Sequence, residues 1–285
     1  MNIIDDIKYR FKNDNAVNRI ILINVGVFIF VSLVNAVLFL MNENNSFFPV
    51  IIKYLMLPAS SYNFILQPWS IITYMFLHDG FMHILFNMLW LFWIGNILHE
   101  YLGNKRVYAT YFGGGVFGGL LYIICYNLFP AFSSSLHSSY AIGASAGVLA
   151  VVVATASLLP EYPIQLFLFG LVRLKWLALA TVLLDLISIP TSNAGGHIAH
   201  IGGAIFGYFY IKYIYGKLNL PDWLTSIFIT KQKLKVHYSP KEKRQNLNTE
   251  ITQEDVDVIL DKISKSGYES LNKKEKEILF KASKD

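Results

Sequence analysis

The sequence predicts an all-α polytopic membrane protein, a six-helix bundle with a small helical tail on the cytoplasmic side. Three observations carry this. The 285 residues are 54% hydrophobic and only 15% charged, against about 25% charged in an ordinary soluble domain. Of the 43 Asp, Glu, Lys and Arg residues, only 11 lie between Ile20 and Gly216. The apolar runs in that stretch are long enough to cross a hydrocarbon core, which takes about 20 residues of helix.

Residues 1–19 are charged and polar and read as a cytoplasmic segment. The first span runs from about Ile20 to Met41, too long for a signal peptide and with no small-x-small cleavage site after it. The others run from about Phe81 to Leu98, Val107 to Phe129, Ala141 to Leu159, Leu174 to Ile189 and His197 to Tyr215. The long outer connection from Asn42 to Gly80 is rich in Tyr, Trp and aliphatic residues and reads as an interfacial loop. Pro163 to Trp176 reads as an amphipathic lead-in to the fifth span. A Ser-rich loop, Ser133 to Ser139, precedes the fourth.

Lysine and arginine set the orientation. Lys8, Arg10, Lys12 and Arg19 precede the first span. Lys105 and Arg106 fall between the second and third, Arg173 and Lys175 between the fourth and fifth, and Lys212 and Lys217 at the end of the sixth. The opposite loops carry only Lys53. Both termini are therefore expected in the cytoplasm, as an even span count requires. The net charge of +5 flanks apolar spans, so nucleic acid is not an expected partner, and no nucleotide motif is present. The single Cys125 excludes an intramolecular disulfide or a multi-cysteine metal site, and no metal or cofactor is expected.

Beyond the membrane part (20–216), residues 217–250 read as a polar linker and 251–285 as a cytoplasmic helical hairpin. Thr252 caps its first helix, Val256, Ile259, Leu260 and Ile263 recur at helical spacing, and Gly267 ends it. Leu271, Ile278 and Leu279 mark the second helix.

Three polar clusters stand inside the spans, where polar groups are costly. His83 and Asn87, at i and i+4, share one face of the second helix. Gly143-Ala144-Ser145 opens the fourth. His200, Gly203 and Gly207, at i, i+3 and i+7, form one stripe of the sixth, where the glycines admit a neighbouring backbone. Singly, each reads as packing or helix glue as readily as chemistry. Together they lie at the outer ends of their helices and supply a nucleophile (Ser145), a base (His200) and oxyanion donors (His83, Asn87 and the Ser145 amide) for acyl transfer. His197 is a rival base three residues from His200. Asp185, in the fifth span, reads as a structural polar residue, and a Ser-His pair needs no carboxylate to work.

At these residues the chain resembles the rhomboid family of intramembrane serine proteases. The resemblance covers about Ile20 to Tyr215 and rests on H-x-x-x-N (His83, Asn87), G-A-S (Gly143 to Ser145) and A-H-x-G-G-x-x-x-G (Ala199, His200, Gly202, Gly203, Gly207), in family order. It implies a rhomboid-like six-helix fold, a Ser-His dyad and cleavage of membrane-protein substrates near the outer ends of their transmembrane segments. It also implies a bacterial-type inner-membrane location, with Phe86 on the substrate route. Glu100 falls where the family has an acidic residue. The chain departs from the family pattern at Ala146, where Gly is usual, at Leu149, often an aromatic that stacks on the base, and at Trp69-Ser70, where Trp-Arg is usual. The competing readings are an inactive rhomboid-like binder or chaperone, which would lack the Ser or His, and a transporter relaying protons through Asp185 and the histidines. A zinc protease is excluded because His99-Glu100 lacks the second His of H-E-x-x-H.

Overall fold

A computed structural model describes residues 14–42, 47–166, 170–191, 193–216 and 253–283. The basic residues Lys8, Arg10, Lys12 and Lys217, the 217–250 linker and the Thr252 cap fall outside them. The chain divides into two compact units, Met1–Thr230 and Lys231–Asp285.

In the first unit, α1 spans Ala16–Leu40 and is capped by Asn15, whose side chain accepts from the Asn18 amide. The outer connection folds as α2 (Phe47–Leu55), strand β1 (Leu57–Pro58), α3 (Ser61–Leu66), α4 (Ser70–Thr73) and a 3-10 turn, Tyr74–Phe76. It keeps Val50, Tyr54, Ile65 and Trp69 exposed, and is tied together by Trp69 Nε1 donating to the Tyr54 carbonyl at 3.0 Å and Thr73 Oγ1 to the Leu55 carbonyl at 2.7 Å. Then come α5 (Phe81–Leu128), β2 (Tyr140–Ala141), α6 (Ser145–Leu158), strands β3 (Pro163–Leu166) and β4 (Gly170–Arg173), α7 (Leu174–Ser188) and α8 (Ala194–Ile214).

Each of the six apolar runs carries a helix. The second and third share α5, which breaks at Gly103, where φ is +72°. Asn104, just past the break, accepts the Ala16 amide at 2.7 Å and so fixes the start of α1. By length and hydropathy, Ala16–Leu40 and Phe81–Leu128 can cross a membrane, and Ser145–Leu158 is a shorter apolar helix.

Two segments differ from expectation. Ala141 does not begin the fourth helix. Tyr140 and Ala141 pair antiparallel with Pro58 and Leu57, and Gly143, at φ +124°, turns the chain before α6 starts at Ser145. Within the amphipathic lead-in, Pro163–Leu166 and Gly170–Arg173 pair as antiparallel strands, a regular structure the sequence reading did not assign. Its Pro-Ile-Gln-Leu alternation suits a strand, and Gly170 takes the positive φ that a helix would not accept. The sixth helix also begins earlier, at Ala194, because Asn193 caps it by accepting the Gly196 amide.

The core lies where α5, α6 and α8 cross, and small residues make the crossing close. A Cβ on Gly203 would come within 2.0 Å of the Ala146 carbonyl oxygen, and one on Gly207 within 2.3 Å of the Ala150 oxygen. A Cβ on Gly118 would meet the Ala146 methyl at 2.8 Å, so the glycine on α5 makes room for the alanine that departs from the family pattern. The outer surface is apolar: Phe30, Leu33, Phe39 and Leu40 on α1, and Leu183, Leu184 and Ile187 on α7, are exposed, while Asn24, Asn87, Thr110 and Thr155 are buried. That inversion is expected of a surface that meets lipid.

In the second unit, α9 (Gln253–Ser266) and α10 (Lys273–Ala282) form a hairpin. Asn272 and Glu275 make a capping box, and Lys262 reaches Glu275 at 2.8 Å.

Candidate active site

The helix starts and the glycine stripe decide which side chains meet. Ser145 is the first residue of α6, so its N–H has no acceptor within the helix and stands at the positive end of the macrodipole. The close crossing of α8 over α6 at Gly203 brings His200, one turn earlier, to the serine. Ser145 Oγ lies 2.6 Å from His200 Nε2.

The other ring nitrogen of His200 has a partner that the sequence did not reveal. Its Nδ1 is 2.9 Å from Asp185 Oδ1, on α7. The same carboxylate oxygen is 2.8 Å from Nδ1 of His197. His197, the rival base, therefore turns to the carboxylate, and the serine's hydrogen bond goes to His200. An Nδ1–H that donates to Asp185 leaves the Nε2 lone pair of His200 free to accept the Ser145 hydroxyl proton, which is the tautomer a general base needs. Asp185, expected to be structural, is thus brought into the candidate site, where sequence reasoning did not place it. The signal was present: it is the one acidic residue of the fifth span and lies well inside it, away from Lys175 at the span's start.

His83 and Asn87 face the same space. Nδ1 of His83 accepts the Asp79 amide at 3.3 Å, so a neutral ring carries its proton on Nε2. That nitrogen points at Gly143, where a Cβ would stand 2.8 Å from it and 3.5 Å from Ser145 Oγ. Only a residue without a side chain keeps that gap open, and φ +124° independently favours glycine there. Asn87 Nδ2 donates to the His83 carbonyl at 2.8 Å, which uses one of its two N–H groups and leaves the other.

A cavity of about 920 Å³ is lined by His83, Asn87, Ser145 and His200, with Phe86, Trp90 and Ile142 among its walls. A second opening of about 260 Å³ reaches Ser145, Asp185 and His200 past Leu149, Thr181 and Leu184. Phe86 is exposed and also lines an apolar groove of about 480 Å³ along α5, opposite the β3–β4 hairpin. Leu149 is buried and offers no ring to stack on His200; the Asp185 hydrogen bond orients the imidazole instead. Gly203 and Gly207 face the backbone of Ala146 and Ala150 and so set the α6–α8 distance.

A rhomboid domain model matches residues 66–217, more than half of the chain. The chain belongs to the rhomboid family. Rhomboid protease GlpG of Yersinia pseudotuberculosis serotype I (strain IP32953), of Yersinia pestis (strain Pestoides F) and of Yersinia enterocolitica serotype O:8 / biotype 1B (strain NCTC 13174 / 8081) are each 28% identical to it over 146 residues. Each alignment covers 50% of this chain and 46% of the relative, so the chain matches less than half the length of these relatives. The rhomboid domain makes the protein an integral membrane protein, and it contains every cavity residue named above. Residues 241–285 match a family of unknown function, DUF6576.

Proposed function

We propose that this rhomboid protein is an intramembrane serine endopeptidase that hydrolyses peptide bonds in or near the transmembrane segments of membrane-protein substrates. The observation that carries the reading is the 2.6 Å contact between Ser145 Oγ and His200 Nε2 in a cavity shared with His83 and Asn87.

The serine hydroxyl gives its proton to His200 Nε2 as Oγ attacks the scissile carbonyl carbon. The carbonyl oxygen becomes an oxyanion, held by the Ser145 N–H, His83 Nε2–H and the spare N–H of Asn87. Collapse breaks the C–N bond, and His200 returns the proton to the departing amine. Water then enters the cavity and loses a proton to His200. It attacks the acyl ester and releases the second product, restoring Ser145. Asp185 positions His200 and balances the transient imidazolium through Nδ1–H. A surround poor in charge strengthens each of these hydrogen bonds.

In this reading α1, both halves of α5, α6, α7 and α8 are six spans. The lysine and arginine distribution supports a topology with both termini in the cytoplasm and the cavity toward the outer side. Residues 20–216 form the protease domain and 251–285 a cytoplasmic hairpin.

The test is cleavage of a single-span model substrate co-reconstituted in lipid vesicles with the full chain. Wild type is expected to cleave, and Ser145→Ala and His200→Ala to fall to background. Cleavage by Ser145→Ala at the wild-type rate would remove the proposal. Retained cleavage by His200→Ala with loss in His197→Ala would move the base to His197.

A further inference from the structure

We propose that Asp185, His197 and His200 form an inhibitory binding site for a divalent transition-metal ion, with zinc(II) the best match. The dyad uses one imidazole, yet two converge on one carboxylate oxygen. Asp185 Oδ1 and the Nδ1 atoms of His197 and His200 all lie within 4.8 Å of one another. The two histidines stand one turn apart on α8, and Asp185 reaches them from α7. Two imidazoles and a carboxylate are a borderline-soft set that suits zinc, with water completing the coordination.

Side-chain rotation alone brings the three atoms to the spacing of a filled site. Ligand atoms about 2.0–2.1 Å from a tetrahedral ion stand roughly 3.3 Å apart. The oxygen-to-nitrogen distances of 2.8 and 2.9 Å need to open by only about half an ångström, while the two Nδ1 atoms, up to 4.8 Å apart, close by as much as about 1.5 Å as the imidazoles turn toward the ion. The site is also reachable: the side chains of Asp185, His197 and His200 are 12%, 21% and 24% exposed, and Asp185 and His200 border the opening past Thr181 and Leu184.

Occupancy and proteolysis exclude each other by tautomer. The ion takes the Nδ1 lone pair of His200, so the proton once on Nδ1 moves through water to Nε2. The ring stays neutral and no net proton is released. Nε2–H is now a donor and cannot accept the Ser145 hydroxyl proton, so the nucleophile loses its base. The ion also takes the Asp185 oxygen that orients the ring. His197 matters only to the metal, because its Nδ1 ligates while Ser145 bonds to His200.

The inhibitory half rests on the proposed protease reading; the binding half stands on geometry alone, and the two are measured separately. Zinc chloride is titrated calorimetrically into full-length Ser145→Ala protein, whose three ligands are intact. The expected result is one ion per chain, and cobalt(II) gives the visible absorption of a low-coordinate site. The same titration on Ser145→Ala/His197→Gln is expected to lose the ion. In the vesicle assay, zinc at ten times its dissociation constant lowers wild-type cleavage about tenfold, by simple occupancy, and EDTA restores it. His197→Gln keeps cleavage within about twofold of wild type and needs at least about tenfold more zinc for the same inhibition, for loss of one of three ligands. Absence of stoichiometric zinc, or equal binding after His197→Gln, overturns the site, whether or not the chain cleaves anything. Should His197→Gln fail to fold, Asp185→Asn in the calorimetric arm decides, with unchanged binding overturning the site. Binding without inhibition of an active enzyme overturns the tautomer argument.

Discussion

Asp185 Oδ1 and His200 Nδ1 are 2.9 Å apart, on the side of the imidazole opposite the serine. The contact joins α7 to α8 and completes a Ser-His-Asp line in a family resemblance that asks only for a dyad. If Asp185 fixes the tautomer, Asp185→Asn keeps an acceptor of similar shape but loses the charge that balances the imidazolium. The expected outcome is a fall in kcat of at least about tenfold with KM within about twofold, and partial rescue by Asp185→Glu. Steady-state cleavage, paired with fluorophosphonate labelling of Ser145 at equal thermal stability, measures it. An unchanged kcat would leave Asp185 a packing residue.

The proposed oxyanion donors make a different prediction. His83→Ala and Asn87→Ala each remove a donor from the cavity, where on the proposed mechanism negative charge develops only in the transition state. Each is expected to lower kcat by about 10²-fold with little change in KM. The Asn87 variant should fall less if its spare N–H is poorly aimed, because its other N–H already serves the His83 carbonyl. Single-turnover cleavage separates the two.

Gly203→Ala pushes a methyl to within 2.0 Å of the Ala146 oxygen, an atom of backbone that cannot swing away. A loss of about 1–3 kcal/mol is expected, with loss of cleavage because Ser145 sits one residue before Ala146. Gly26→Ala is the control. Its Cβ meets nothing within 4 Å on the exposed helix α1, so it should be neutral or slightly stabilising. Thermal unfolding in detergent compares them.

His78 lies in the loop before α5, with its ring 5.1 Å from that of His83 and Asp79 next in sequence. Burial, aided by His83, pushes its imidazole down to about 4. As pH falls through the ordinary histidine range, the unfolded chain gains a proton that the folded chain refuses until about 4. Stability is therefore full above that range and is lost on the way down. The melting temperature should drop by roughly a few degrees between about pH 7 and about pH 4.5, and the drop should shrink in His78→Phe. Equal slopes would assign the acid sensitivity elsewhere.

In the tail hairpin, Asn272→Ala removes the side chain that accepts the Glu275 amide. The cost should be about 1 kcal/mol, seen as faster amide exchange along α10 in the full chain.

How much of this could be read from the residues alone depends on the range of the interaction. His83 and Asn87 were legible because four residues put two side chains on one helical face. Ser145 and His200 were legible as motifs, and Gly203 and Gly207 as a packing stripe. Asp185 was not, because its role depends on how α7 leans on α8, and helical periodicity carries no information about that angle. The strand from Leu57 to Pro58 was hidden for a related reason. A two-residue pairing with Tyr140 and Ala141 is too short to show a period of two and joins segments far apart in the chain. The β3–β4 pair was legible only as an amphipathic lead-in, because four alternating residues are too few to establish a period of two. The positive φ of Gly170, at the start of β4, is a backbone feature that periodicity does not carry.

The 55-residue separation between Ser145 and His200 has a bearing on synthesis. A nascent chain exposes its serine well before the last helix leaves the ribosome, and for that interval the hydroxyl has neither base nor carboxylate. The reactive trio is complete only when α7 and α8 have both docked. On the proposed protease reading, an unfinished copy is therefore harmless to the proteins being inserted beside it.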